Sequence, residues 1–382
     1  MSEHLNERQW SVSVKDSNSD TSPYAPLRSF NLVGVKPVLL TPPDNTEADG
    51  TSFTWDHVGQ GGVQTEFAFR RKVPLEGGWT EQTTPITSDL NGVASDGTLW
   101  VVVDRNGRVL TSPDGQTWTS QSTPTTDTLH GVASNGSQWV VVGAGSMVLT
   151  SPDGTTWTEQ TTPTTEYLLG VAHAGTQWGA VGFNGMVITS PDGETWTDQT
   201  TSTTETLYSV AHDGSQWVAV GWNGTVITSP DGVVWTNQTT PTTWGLYGIA
   251  HDGSQWVAVG RNGTVITSPD GVTWTDQTTP TTSELRDVAH YGSQWVAVGN
   301  SGTVLTSPDG QTWTEQTTPT TEHLWGVASD GIQWGAVGES GTVITRVFGA
   351  LFWWDGSQWV EEETFIVSGD ESLTLPSGAW DE

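Results

Sequence analysis

Seven copies of a 39-residue unit, four short β-runs in each copy, and a last copy whose fourth run stands ahead of the first predict an all-β fold. The architecture is a closed seven-bladed β-propeller. The run Leu-x-Gly-Val-Ala recurs, with small changes, from Leu90, Leu129, Leu168, Leu207, Leu246, Leu285 and Leu324. In the copy starting at Leu207 the β-runs are LYSVA, QWVAV, GTVIT and VWTNQ. Asp-Gly, Asn-Gly and Pro-Asp-Gly turns separate them, and Asn-Gly favours the positive φ values of a two-residue hairpin. One four-stranded sheet cannot bury both faces, whereas radial stacking of seven can. A linear solenoid is the competing arrangement.

The ends of the array choose between the two. Ser-Pro-Asp-Gly occurs six times, at Ser112, Ser151, Ser190, Ser229, Ser268 and Ser307. The seventh copy departs instead to Thr345-Arg346-Val347-Phe348. Its missing run lies upstream, because Trp79-Thr80-Glu81-Gln82 stands 39 residues before the matching Trp118 segment. The first strand is therefore expected to complete the last blade and close the ring, a device for which a solenoid has no use.

Composition narrows the partners. The chain of 382 residues carries 43 acidic and 12 basic side chains, a net charge of −31, with 23 Trp, 45 Gly and no Cys. Such a surface repels phosphate backbones, so nucleic acid is not an expected partner. No stretch approaches the roughly 20 apolar residues of a membrane helix, and MSEHLNERQW holds no apolar run of a secretory signal. No thiol chemistry is available, and no cofactor is expected. Acid-rich, lysine-poor composition (Lys15, Lys36 and Lys72 are the only lysines) resembles that of haloarchaeal and haloarchaeal-virus proteins.

The SPDGxTW turn resembles the Asp-box of BNR and sialidase-type propellers, shortened by one residue. That resemblance implies a structural turn away from any catalytic face, its Asp bonded to backbone N–H groups nearby. Sialidases also need an arginine cluster, a nucleophilic Tyr with a Glu partner and an acid/base. The array offers Arg105, Arg108, Arg261, Arg286 and Arg346 in different blades and repeat positions, with no such cluster legible. No catalytic residue is assigned; a sialidase-like glycan hydrolase and a purely architectural spacer stay as alternatives. His173, His212, His251 and His290 share one repeat position in separate blades and read as hydrogen-bonded turn residues, not metal ligands. The sequons at Asn135, Asn223, Asn237 and Asn262 largely follow from the repeated Asn-Gly turn.

Comparison of the copies with one another points to a candidate site. Two windows vary: the segment after Thr-Pro-Thr-Thr leading into each blade, and the residue before Asn-Gly. Both are expected on one face, around one rim. They hold Tyr167, Phe183, Tyr208, Trp222, Trp244, Tyr247, Arg261, Arg286, His323, Trp325 and Glu339. Rigid aromatic side chains with a few charges suit stacking on sugar rings or docking a protein.

Outside the repeats, residues 37–73 and 348–380 resemble the successive strands of a fibronectin type III-like module of viral tail proteins. Trp10-Ser-Val-Ser-Val and Leu27 to Val33 resemble its final hairpin. The implied organisation is 1–33, a hairpin donated in cis or in trans; 34–74, the first half of the module; 75–346, the propeller; and 347–382, the second half. The Val33–Lys36 joint spans at most about 14 Å, which suits a strand passed to a neighbour better than a return across one sandwich. The resemblance implies a tail-fibre or appendage protein of a haloarchaeal virion, extracellular after release by lysis. Its partners would be head-to-tail copies of the same or related fibre proteins and a host glycan or S-layer glycoprotein, without membrane insertion.

Overall fold

The computed structural model describes residues 78–347 in full and, outside them, the backbone of seven short strands. The chain divides into two compact units, Gly77–Phe348 and Met1–Glu76 with Gly349–Glu382.

The larger unit is a seven-bladed β-propeller. Each blade is a four-stranded antiparallel sheet in chain order; blade 4 runs Leu207–His212, Trp217–Gly221, Val226–Ser229 and Thr236–Gln238. Blade 7 takes Leu324–Ser329, Gln333–Gly338 and Val343–Val347 from the end of the array and Thr80–Gln82 from its beginning. Val343 lies opposite Gln82 and Thr345 opposite Thr80, in antiparallel register. The innermost strands pack one against the next, and that of blade 7 packs against that of blade 1. The ring is closed, and the solenoid is excluded.

Burial explains the repeat consensus. Every second strand is buried along its length, led by a Trp at 2% exposure or less: Trp100, Trp139, Trp178, Trp217, Trp256, Trp295 and Trp334. These indoles fill the wedges between blades. Trp256 of blade 5 shares a cluster with Val218, Val220 and Val226 of blade 4 and with Leu246, Ile249 and Trp274 of its own blade. Trp79 takes the equivalent place beside Trp334 and Leu324, so closure is made by core packing as well as by strand pairing.

The turns differ from expectation in one respect. The connection between second and third strands is a three-residue turn, as at Trp222–Gly224, instead of a two-residue hairpin. Asn223 and Gly224 do take the positive φ values of 56° and 69°. The extra residue points its N–H away from the hairpin: Trp222 N donates to Thr206 O at 2.8 Å, on the segment entering the same blade. The first strand also carries a bulge, with register shifting between Leu207 and Ser209, which turns Tyr208 out of the ladder.

In the other unit, Thr51–Trp55, Phe67–Lys72, Ala350–Trp354 and Trp359–Glu362 form one antiparallel sheet in that order. Lys72 lies opposite Ala350, so segments from before and after the propeller share a sheet. Ser11–Val12 pairs antiparallel with Phe30–Asn31 and parallel with Ser372–Leu373. These two sheets do not by themselves show a fibronectin type III sandwich. Trp10, the Ser22-Pro23-Tyr24 loop and the Val33–Lys36 joint lie outside the described residues.

Candidate functional site

Three repeat positions meet at one end of the propeller, around the mouth formed by its innermost strands. They are the bulged residue of the first strand, the residue before its leading Leu, and the first residue of the turn between second and third strands. Backbone bonds fix the last two together, as Trp222 and Thr206 are in blade 4 and likewise in blades 3, 5, 6 and 7: Phe183 N to Tyr167 O at 3.0 Å, Arg261 N to Gly245 O at 2.9 Å, Asn300 N to Glu284 O at 2.9 Å and Glu339 N to His323 O at 2.9 Å. In blades 2 to 7 a glycine ends the second strand, and a Cβ on Gly182 would stand 1.9 Å from Tyr167 O; blade 1 makes the same bond, Arg105 N to Asp89 O at 3.1 Å, with Asp104 in that place.

The side chains of blades 3 to 6 assemble on this frame. Tyr167 stacks on Phe183 with centroids 5.2 Å apart, and His130 of blade 2 stands 6.5 Å from Tyr167. Tyr208 meets Tyr247 edge-on at 5.1 Å. The Arg286 guanidinium lies 4.9 Å from the Tyr247 ring and that of Arg261 lies 5.4 Å from Trp244. Both arginines converge on Glu284, Arg286 Nη2 at 2.6 Å from Oε2 and Arg261 Nε at 3.5 Å from Oε1. Asn300 completes the group: its Oδ1 accepts from Arg286 Nε at 3.1 Å, and its Nδ2 donates to Glu284 Oε2 at 3.3 Å. Tyr167, Phe183, Trp222 and Trp244 remain 38–45% exposed, an unusual exposure for rings of this size. Burial pushes the Tyr208 and Tyr247 phenols above their usual range; the Glu284 carboxylate pushes Tyr247 further in the same direction, against the pull of Arg286 and Arg261.

The sequence-derived candidates therefore divide. Tyr167 and Phe183 form one pair, and Tyr208, Tyr247, Trp244, Arg261 and Arg286 form a continuous group. Trp222 adjoins that group beside Gly245, where a Cβ would stand 3.5 Å from its Cε3 and 3.6 Å from Tyr247. Trp325 and Glu339 occupy the same repeat positions on blade 7 without a described side-chain contact to it, while His323 Nδ1 accepts from Ser301 N at 2.9 Å. The sequence reading placed Arg261 and Arg286 on one rim but saw no cluster among the arginines; the ring brings these two onto one carboxylate. It missed Glu284 and Asn300, and also His130. Their signal was available: each departs from the other copies at a position already marked as variable.

Elsewhere the conserved-looking features are structural. In the turn at Ser190, Asp192 Oδ1 accepts from Glu194 N and Thr195 N at 2.9 and 2.7 Å, and the Trp196 indole N–H donates to Gly193 O at 2.8 Å. His173, His212 and His251 accept on Nδ1 from the turn glycines Gly175, Gly214 and Gly253 at 2.9–3.1 Å. His290 stands 4.7 Å from Trp295. Among the described residues no group of three or more His, Asp or Glu is placed to hold a metal ion. An open groove of ≈ 490 Å³, lined by Pro85, Ile86, Asp89, Arg105 and Arg108, flanks the closure. Its arginines are spoken for, Arg105 by Asp89 at 2.6 Å and Arg108 by Asp104 at 3.3 Å.

Comparison with known proteins bears on the propeller. A family model described as the DUF6242 beta propeller domain matches residues 58–168. No curated protein sequence matches the chain. Among solved structures, YCF48 from Cyanidioschyzon merolae is 18% identical, with a TM-score of 0.59 over 70% of this chain and 98% of its own. YCF48 bound to D1 peptide is 17% identical, with a TM-score of 0.60 over 72% and 99%. A catalytically inactive virginiamycin B lyase from Staphylococcus aureus with Quinupristin is 13% identical, with a TM-score of 0.65 over 71% and 99%. At these identities the likeness is one of fold.

Proposed function

We propose that this chain is a non-enzymatic binding module whose propeller presents the arc from Tyr167 to Arg286 to a glycan or glycoprotein of a host surface. The observation that carries this reading is the packed group of exposed aromatic rings and arginines at one end of the ring. Rigid rings with large contact area and Arg are the side chains that dominate recognition surfaces. The enzyme alternative needs an activated nucleophile, and the best-placed phenol, Tyr247, is pushed away from ionisation by burial and by Glu284. That a propeller of similar fold is bound to a peptide, D1 peptide, fits recognition of a macromolecule. Trp222→Ala and Trp244→Ala are each expected to weaken binding on a glycan array of host-envelope sugars about tenfold or more. Unchanged binding in both variants would leave only a spacer, and release of free sugar would revive the hydrolase.

The flanking segments extend the proposal to assembly. Residues 34–74 and 347–382 would form a fibronectin-like module interrupted by the propeller (75–346), with 1–33 supplying its final hairpin to the same chain or to a neighbour. The sheet shared across the interruption, Lys72 opposite Ala350, supports the insertion. Donation in trans would build a head-to-tail fibre joint with the same or a related protein, placing the chain in a virion appendage. Light scattering of the full chain at high salt tests this: concentration-dependent growth in mass is expected, and a sharply monomeric species defeats it.

A further inference from the structure

The mouth of the propeller is ringed with acid except along one arc. Two places before the leading Leu, blades 2, 3, 4 and 7 carry Asp127, Glu166, Glu205 and Glu322, and blade 1 carries Asp89 one place on. Blades 5 and 6 carry Trp244 and Ser283 there, and blade 6 has Glu284 one place on, with two arginines facing it. That gap is where Arg261 and Arg286 stand, in a chain whose net charge is −31. Two guanidiniums share the single carboxylate of Glu284, which leaves one positive charge in the gap.

Geometry says which charge is free. Arg286 uses Nε on Asn300 and Nη2 on Glu284, and its plane covers Tyr247. Arg261 also lies over a ring, Trp244 at 5.4 Å, but it makes one long contact through Nε, its side chain is 48% exposed, and no described residue accepts from its Nη1 or Nη2. Those two N–H groups form the fork that fits two oxygens of a carboxylate or sulfate. Beside it lie Trp222 and Trp244, both partly exposed, the latter with Arg261 over one face and the other left for the apolar side of a sugar ring. We infer that this arc selects an acidic sugar, its ring stacked on Trp222 or Trp244 and its carboxylate or sulfate received by the outer edge of Arg261. The inference rests on the glycan reading above and adds the ligand's charge.

The experiment is calorimetric titration of the full chain at one fixed salt concentration. The probes are a galacturonate hexamer, its methyl ester, a sulfated galactan oligomer and a glutamate hexapeptide. At least one of the two acidic sugars should bind about tenfold or more tightly than the uncharged ester. Whether the uronate or the sulfated galactan is preferred assigns the anion. Arg261→Gln should bring the acidic sugar down to the affinity of the ester, and Arg261→Lys, which keeps the charge without the fork, should fall between. Circular dichroism confirms that these exposed substitutions leave the fold in place. Equal binding of acid and ester overturns the inference while the glycan reading stands. Binding of the glutamate peptide in preference to every sugar also overturns it. Failure of all the sugars removes both.

Discussion

In each Ser-Pro-Asp-Gly turn one carboxylate oxygen holds two backbone N–H groups. For Asp153 these are Thr155 and Thr156, at 2.8 Å each, and for Asp192 they are Glu194 and Thr195. The bonds from Thr156 and Thr195 lead in holding the two carboxyls down to about 2. A folded-state value below the unfolded one of about 3.9 stabilises the fold above that pH, and the contribution is lost as pH falls toward 2. Acid titration followed by circular dichroism should therefore show stability falling between about pH 4 and 2. Asp192→Ala should cost about 1 kcal/mol at neutral pH in a denaturant titration, comparable to losing a helix cap. Asp287 behaves in the opposite sense. It stands on the innermost strand of blade 6, where five other blades have glycine. Burial pushes its carboxyl up to about 7, against the pull of N–H groups from Val327 and Val288. Unfolding releases its proton anywhere between about pH 4 and 7, so over that window its contribution makes the fold less stable as pH rises. Calorimetry at pH 5 and pH 8 should give a smaller difference in Tm for Asp287→Gly than for the parent. An equal difference would show that this carboxyl ionises as freely in the fold as out of it.

At the scale of the blade, closure depends on a residue far from its partners in sequence. Trp79 is 5% exposed and packs with Trp334, Leu324 and Ile344. Trp79→Ala should cost about 3–5 kcal/mol. Because the lost contacts join the two ends of the ring, hydrogen exchange should speed up first in Val343–Val347. A second tie crosses the next junction, where Gln333 Nε2 donates to Asp114 O at 2.7 Å. The blades themselves were legible in the sequence because each position is sampled seven times: turn glycines, buried indoles and the displaced first strand all stand out against the repeat. The three-residue turn was not legible, since its extra residue is set by a bond to the segment entering the same blade, which no local pattern encodes. Of the site, the two variable windows and the face they share could be read. The Arg261–Glu284–Arg286 group could not, because it depends on how far the loops of blades 5 and 6 lean together, and that distance exists only in the closed ring. The glycine before the turn in blade 5 lets Arg261 close on the segment entering its own blade. Gly260→Ala would place a Cβ 2.1 Å from Gly245 O, so the variant should lose much of the ligand binding proposed for Trp244 and Arg261 while keeping far-UV ellipticity.

At the scale of the whole chain, charge is the largest unbalanced quantity. Of the five arginines between residues 75 and 346, four face carboxylates: Arg105 on Asp89, Arg108 on Asp104, and Arg261 with Arg286 on Glu284. Among the described residues most of the remaining acids have no cation opposite them and lie on turns and outer strands, as Glu159, Asp198 and Glu315 do. A compact ring holds these charges closer together than an unfolded chain does, so their mutual repulsion favours unfolding. Salt weakens that repulsion as the screening length shrinks from about 30 Å at 0.01 M to about 3 Å at 1 M. The four ion pairs are weakened by the same ions, but exposed pairs contribute only about 0–1 kcal/mol each and are outnumbered. Tm followed by circular dichroism should therefore rise steadily with NaCl over this range. Choosing chloride keeps the effect apart from the strengthening of apolar burial that sulfate brings, and sucrose at matched osmolality controls for exclusion of the cosolute from the protein surface. A Tm that stays flat in NaCl would mean that the acids are spaced widely enough round the seven blades not to repel. The net charge would then oppose the acidic ligand proposed for the rim less than its size suggests, and the contacts of Arg261 would have less repulsion to overcome.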